Sequence, residues 1–447
     1  MKHLTIVGAG WAGLAAAVAA VEQGWQVELF EAASVPGGRA RSLEAPPEVT
    51  PLDNGQHILI GAYRDTLALM RHVGVHPEAV LQRLPLDVRF ADGRGLALPN
   101  WPAPLNVLAG IVRTRGWTWR DKALLLKACG QWQWAGFTCD AHWTVATLCA
   151  QSSLPACVVQ ALIEPLCLSA LNTPISRASA TVFLRVLHDA LLGGAGSSDV
   201  LVPRVDLGEL LPQPALRWLK AHGAQVHLGH RITADVLKQQ YADCTAAAGG
   251  RALLLACPPW EAARLTADLH PTWAHSAAAL THEAIATVYL HCADPRFKGL
   301  ARSMMALNSD SEVSDTSKSS ANQAGSGAGP AQFIFDREAL MQQTGLLACV
   351  VSASVGTREA LAAQVLQQVQ NQLGLTDLQV VQTVVEKRAT LACTPHLSRP
   401  AAFIAPHLWA CGDYVAGPYP STLEGAVRSG QEVITQLGQM PHGQRLL

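Results

Sequence analysis

Two short segments at opposite ends of this 447-residue chain carry its chemistry. Near the N-terminus, Leu4-Thr-Ile-Val leads into Gly8, Gly10 and Gly13. Gly8 suits the tight turn after a strand, Gly10 lets backbone approach a pyrophosphate, and Gly13 lets a helix pack close to the strand. The helix expected over Leu14–Gly24 would aim its N-terminal amides at the phosphates. The strand Gln26–Phe30 then ends on Glu31, an acidic residue roughly 20 positions after the glycines, placed to accept hydrogen bonds from a ribose. Near the C-terminus, Leu408-Trp-Ala-Cys leads to Gly412-Asp413, followed by Glu424-Gly425-Ala426. A glycine turn alone is weak evidence. Grips at both ends of one sheet point to a dinucleotide lying across it, FAD rather than NAD.

Further groups lie close to these grips. Gly37-Gly38-Arg39-Ala-Arg41 follows the ribose position, so paired glycines bring a loop close to the dinucleotide and two arginines can reach its phosphates. Asp53-Asn-Gly-Gln-His57 is a polar turn entering an apolar strand, a place for groups beside a flavin ring. No metal-ligand spacing is present, and the 11 cysteines include no C-x-x-C pair, as expected for reduced thiols in a cytosolic compartment. A net charge of −1 argues against a nucleic-acid partner. The chain is 49% hydrophobic and 15% charged, which suggests apolar surface or an apolar pocket. Leu4 to Val21 has no charged residue, but three glycines at the fingerprint spacing make a poor signal core or membrane span.

These residues need a particular scaffold. The reading is an α/β chain: a Rossmann-like dinucleotide-binding domain with a discontinuous α+β substrate domain. Residues 1–95 form the first cofactor-binding part, and residues 96–204 a helical region facing substrate or membrane. Residues 205–274 return to the cofactor domain, with one helix over Asp206–Gly223, strands near Gln225 and Arg251, and Ile232 near the adenine. Residues 275–399 supply the sheet of the substrate domain, and residues 400–447 the last cofactor-binding part. Residues 308–330, rich in Ser, Gly, Asp and Ala, read as a disordered insertion in that sheet. Six of the 12 tryptophans lie between Trp101 and Trp143, interleaved with basic residues. That composition suits a membrane-interface anchor or an ordinary helical core.

Together, the glycine fingerprint with Glu31, Gly37-Gly38-Arg39 and Gly412-Asp413 resembles the flavin amine oxidase and phytoene desaturase superfamily. Asp53-Asn-Gly-Gln-His57, Leu171-Asn-Thr-Pro174 and Gly417-Pro-Tyr419-Pro-Ser-Thr422-Leu-Glu424-Gly-Ala narrow the resemblance to the squalene-associated FAD-dependent desaturases, also described as hydroxysqualene dehydroxylases. The resemblance implies that Gly8, Gly10, Gly13, Glu31, Gly38, Arg39, Gly412 and Asp413 bind FAD, and that Glu424-Gly425-Ala426 opens a helix facing the flavin. It implies reductive removal of the hydroxyl of hydroxysqualene, giving squalene for hopanoid synthesis. An acid must then protonate the leaving oxygen. His57 ranks first, then Tyr419 and Tyr414, with Glu164 and Asp189 weaker. The expected partners are the isoprenoid, a membrane surface at the inner face of the cytoplasmic membrane, a reductase that supplies electrons, and other enzymes of the pathway. Oxidative polyprenoid desaturation, amine oxidation and a non-enzymatic FAD-binding scaffold are the competing readings.

Overall fold

The structure, a computed structural model, describes residues 2–44, 51–246, 250–309 and 328–439. Its first sheet has six strands in the order Phe403–Ala405, Leu408–Ala410, Arg251–Leu255, His3–Val7, Gln26–Phe30 and Gln225–His227. All neighbours are parallel except the first pair. The central strands Arg251–Leu255 and His3–Val7 are buried over their last four residues, as a sheet covered on both faces requires. The chain builds outward from His3–Val7 to one side, then returns to extend the other. That reversal opens a crevice at the carboxyl ends of the strands, where Gly8, Glu31, Cys257 and Cys411 emerge.

Helix Trp11–Glu22 is rich in alanine and buried on almost every side. Helix Leu423–Gln439 lies against it at very close range. A Cβ on Gly430 would sit 2.3 Å from the Ala12 carbonyl oxygen, so only glycine permits this approach. The packing brings the C-terminal Gly412-Asp413 segment to the N-terminal glycine turn.

A second, antiparallel sheet runs in the order Leu378–Leu391, His282–Cys292, Leu346–Ser352, Phe333–Asp336 and Met304–Ala306. Helix Arg358–Leu373 covers one face, with Thr357 capping its start and Gly374 in the left-handed region at its end. The other face shares an apolar core with the helices between Leu105 and Leu192. Strands Leu59–Ile60, Val200–Pro203 and Leu81–Leu84 form a small third sheet.

Two local expectations change. The single helix over Asp206–Gly223 is two, Leu207–Leu210 and Pro212–Ala221. Leu211 departs from helical geometry at φ −148°, and Pro212 opens the second helix, where its missing N–H costs nothing. The 14-residue strand Leu378–Leu391 was not anticipated, although Val380, Val381, Thr383, Val384 and Val385 carry a β-branched signal. Of the segment read as a disordered insertion, residues 310–327 lie outside the described residues. The residues that bracket it are anchored. The Asn308 carbonyl accepts from Gln368 Nε2 (2.9 Å) and Gln372 Nε2 (2.8 Å), and Ala331 N–H donates to Gln368 Oε1 (2.9 Å). Two glutamines of the covering helix fasten both ends to the sheet.

The helix contact yields a test. Gly430→Val should overpack the Ala12 contact and cost about 1–3 kcal/mol. Thermal denaturation is expected to show a lower midpoint than for Gly438→Ala, where the nearest atom is the flexible Gln23 side chain.

Candidate functional site

The groove at the strand ends is lined by bare backbone. Gly8, at φ +114°, could not carry a Cβ, which would lie 2.7 Å from the Ala256 carbonyl oxygen. Gly13 is equally constrained, its Cβ position being 2.0 Å from Gly8 O. The Gly37 amide donates to Ala9 O (2.8 Å), stitching the Gly37-Gly38 loop to the first turn. A Cβ on Gly38, at φ +62°, would be 3.3 Å from the Gly10 Cα. Gly10 begins helix Trp11–Glu22 with no side-chain cap and no acidic residue in the first turn. Its N-terminal amides are thus available to an anion, and a side chain at Gly10 or Gly38 would fill the groove. These features fit a dinucleotide pyrophosphate.

Glu31 sits at the end of its strand. Its Oε2 accepts from Ala9 N–H (2.7 Å) and its Oε1 from Ala33 N–H (2.8 Å). A carboxylate has about four acceptor positions, so ribose hydroxyls can still donate to it. The Ile232 side chain is buried in the core with Val7 and Phe30, so only its backbone is left to face an adenine.

Arg39 pairs with Asp413 and also donates through Nη1 to Ala389 O (2.6 Å). Gly412 N–H donates to Ser429 Oγ (2.9 Å), and Ser421 N–H returns to Asp413 O (3.1 Å). Thr422 Oγ1 accepts from Gly425 N–H (2.9 Å) and so caps the last helix. A Cβ on Gly425 would lie 1.9 Å from Tyr419 O. The Gly412-Asp413 turn and the helix start are therefore one unit.

Glu424 is held by a distant helix. Its carboxylate is buried and accepts from Asp65 N–H (3.1 Å), Thr66 N–H (3.0 Å) and Thr66 Oγ1 (2.8 Å). The carboxylate thus caps helix Arg64–His72, which leaves the Glu424 backbone to face the cofactor groove. Burial pushes its pKa up even with these three donors on the charged form.

The acid candidates separate. His57 Nδ1 lies 3.0 Å from Gly55 O. Burial, with Arg39 adding to it, holds the imidazole below its ordinary value of 6.5. A carbonyl only accepts, so the neutral ring carries its proton on Nδ1 and presents Nε2 as an acceptor. In this state His57 offers an acceptor, and it would serve as the expected acid only once protonated. Tyr414 is fully buried, and its hydroxyl has no partner among the described residues. Tyr419 lines a cleft with Gly412, Asp413, Gly425 and Arg428. Its hydroxyl faces Asp189, and burial and then that carboxylate raise its pKa. The Arg428 guanidinium stands 5.1 Å from the Tyr419 ring centre. Tyr419 and Asp189, 230 positions apart, are the two expected candidates that come together. Glu164 lies beside Cys149 and Cys167 in the helical layer. Among the described residues, no group of three or more His, Cys, Asp or Glu could hold a metal ion.

Two features escaped sequence reading. His282 lies near Arg39 and Asp413, in edge contact with Trp260 (5.2 Å), which carries the Arg388 guanidinium at 4.4 Å. Arg337, 0% exposed, pairs with Asp53 (3.0 Å), while the Tyr289 hydroxyl donates to Asp53 O (3.1 Å). Burial raises the Asp53 pKa and Arg337 opposes the rise. No motif spacing marks Arg337, Tyr289, Trp260 or His282, because packing between distant helices, strands and turns brings them together.

Glu424→Ala should lose about 2 kcal/mol or more of stability, yet bind FAD at wild-type stoichiometry. Arg39→Met should retain the fold and lose flavin; both are read from melting curves and visible absorption. His57 and His282 have lowered pKa values in the folded chain. Below pH 6.5 the unfolded chain therefore binds protons that the folded chain does not, and stability falls as pH drops. His57→Asn should flatten that fall in denaturant titrations between pH 7 and pH 5.

Known proteins give independent bearings. The chain is 25% identical over 449 residues to the hydroxysqualene dehydroxylase of Zymomonas mobilis, covering 96% of this chain and 98% of that one. A probable zeta-carotene desaturase of Synechococcus elongatus is 33% identical over 133 residues, which is 27% of this chain and 25% of that one. A solved putative protoporphyrinogen oxidase from Exiguobacterium shares the fold, at a TM-score of 0.63 and 16% identity over 98% of both chains. The family model for flavin containing amine oxidoreductase matches residues 11–435. With that match over nearly its whole length, the chain belongs to the flavin containing amine oxidoreductase family, and its cofactor is FAD.

Proposed function

We propose that this enzyme removes the hydroxyl of hydroxysqualene reductively, giving squalene. The end-to-end likeness to a hydroxysqualene dehydroxylase carries the reading, since the likeness to a desaturase stops at 27% of the chain. The net reaction takes one hydride and one proton and releases water. Reduced FAD, when bound, supplies the hydride. The protein's own part is to hold the cofactor and exclude water from an apolar layer beside it. Gly8, Gly10, Gly13 and Gly38 provide the phosphate groove, Glu31 the ribose contact, Ile232 and Gly412 backbone contacts, and Arg39 with Asp413 the central grip. Gly425 and Ala426 keep the last helix start against that grip. Tyr419, with Asp189 behind it, is the group we assign to deliver the proton to the leaving oxygen.

Oxidative desaturation is the second reading, favoured by one observation. A neutral His57 with its Nε2 free to accept suits removal of a proton from carbon. Amine oxidation with a flavin attached through Cys411 is disfavoured, because burial pushes that thiol far up and away from the reactive thiolate.

An isoprenoid of this length resides in membranes, so we place the enzyme peripherally on the inner face of the cytoplasmic membrane. No helix among the described residues is long and apolar enough to cross one. Trp101, Leu105, Leu108 and Val112 form an exposed apolar strip, and Arg113 lies over the Trp101 ring at 4.9 Å. Trp119 and Trp134 are also exposed, whereas Trp117 and Trp132 belong to the core. The tryptophan-rich stretch therefore divides between surface and core. Apolar insertion with a cationic rim suits anionic lipid. An electron-donating reductase and neighbouring pathway enzymes complete the proposed partners.

Anaerobically reduced enzyme mixed with hydroxysqualene should give squalene, one per flavin reoxidised, by mass spectrometry. Tyr419→Phe should slow this step roughly 100-fold or more while retaining FAD; unchanged turnover would remove Tyr419 from the acid role. Leu105→Glu with Leu108→Glu should abolish co-sedimentation with anionic liposomes and leave turnover of detergent-dispersed substrate intact.

A further inference from the structure

The guanidinium of Arg337 has one nitrogen uncommitted. Nε donates to Gln343 Oε1 (2.7 Å), and Nη1 to Asp53 Oδ2 (3.0 Å) and Gln56 Oε1 (3.1 Å). Nη2 is buried with no partner among the described residues, on a side chain that is 0% exposed. A charged donor left unpaired in a dry core is costly, and such groups normally meet water or a ligand.

Its position suits a ligand. On one side stands the Tyr289 ring, 5.8 Å from the guanidinium. Tyr289, Phe335 and Leu340 belong to the apolar layer between the helices and the antiparallel sheet. On the other side, Asp53 and Gln56 lie in the turn that Asn54 ties to the Arg39 carbonyl (2.9 Å), and Arg39 grips Asp413. Arg337 thus stands at the junction of the apolar layer and the cofactor groove.

We propose that Arg337 Nη2 donates a hydrogen bond to the single oxygen of the isoprenoid alcohol. This role rests on the substrate reading above and adds the residue that recognises the oxygen. A long isoprenoid alcohol has one polar atom, so an apolar chamber needs only one donor to fix which carbon faces the flavin. Arginine presents its donors in a rigid planar fork. It has no acceptor, so it reads the oxygen lone pairs and not the hydroxyl proton.

The test measures binding to oxidised, FAD-loaded enzyme, where no turnover occurs. The ligands are hydroxysqualene, its methyl ether and squalene. Wild type should bind both oxygenated ligands about tenfold or more tighter than squalene. Arg337→Lys should erase that gap for both, while the variant still binds squalene and FAD. If this variant does not fold, the ether in wild type decides. An ether bound only as weakly as squalene would show a site that needs the hydroxyl proton, and would overturn the proposal. So would a gap that survives Arg337→Lys. Squalene binding with no gap for either oxygenated ligand removes only the Arg337 role. Failure of all three ligands to bind removes the substrate reading and this role together.

Discussion

The close packing of the first and last helices is the constraint on which the rest depends. Gly430 meets the Ala12 carbonyl at a range no side chain would permit. Through Ser429 and Thr422, the last helix then holds Gly412 and the turn after it against the opening glycines. Chain ends separated by some 400 positions thereby become two walls of one groove. The alanines of helix Trp11–Glu22 matter for the same reason: they leave it thin enough to lie between a sheet and a helix.

Charge then fixes what packing has assembled. Arg39 joins the second glycine loop to Asp413, and Arg337 joins the Asp53 turn to the substrate sheet. Asn54 links these two pairs, donating to Arg39 O (2.9 Å) and to Glu386 Oε2 (3.2 Å). Buried ion pairs contribute little net stability, because desolvation offsets attraction. Their value here is geometric: Arg39 ties the second glycine loop to Asp413 and, through Ala389 O, to a strand of the other sheet, while Arg337 ties the Asp53 turn to the helix that follows strand Phe333–Asp336. The apolar layer is thereby held in register with the cofactor groove.

Much of the cofactor half was legible in the sequence. Gly8, Gly13 and Gly38 are demanded by backbone geometry, and such demands act over a few neighbouring residues that sequence displays directly. The same holds for the strand ends at Glu31 and Gly412. Groups set by distant contacts were not legible. Glu424 sits in a motif beside the groove, yet its carboxylate caps a helix more than 350 positions earlier. The protonation of His57 depends on burial and on Gly55, and neither follows from residue order. Arg337 carries no motif at all. The strand Leu378–Leu391 was readable from its valines, but polar residues on its exposed side mask the alternation.

Direction of hydride transfer separates the reductive account from its nearest rival. Anaerobically reduced enzyme in heavy water carries deuterium on the flavin, because that proton exchanges with solvent. Single turnover with hydroxysqualene should give squalene with one deuterium on the carbon that bore the oxygen. Squalene formed without deuterium at that carbon would contradict the account. So would turnover seen only with oxidised enzyme and yielding a more unsaturated polyprenoid.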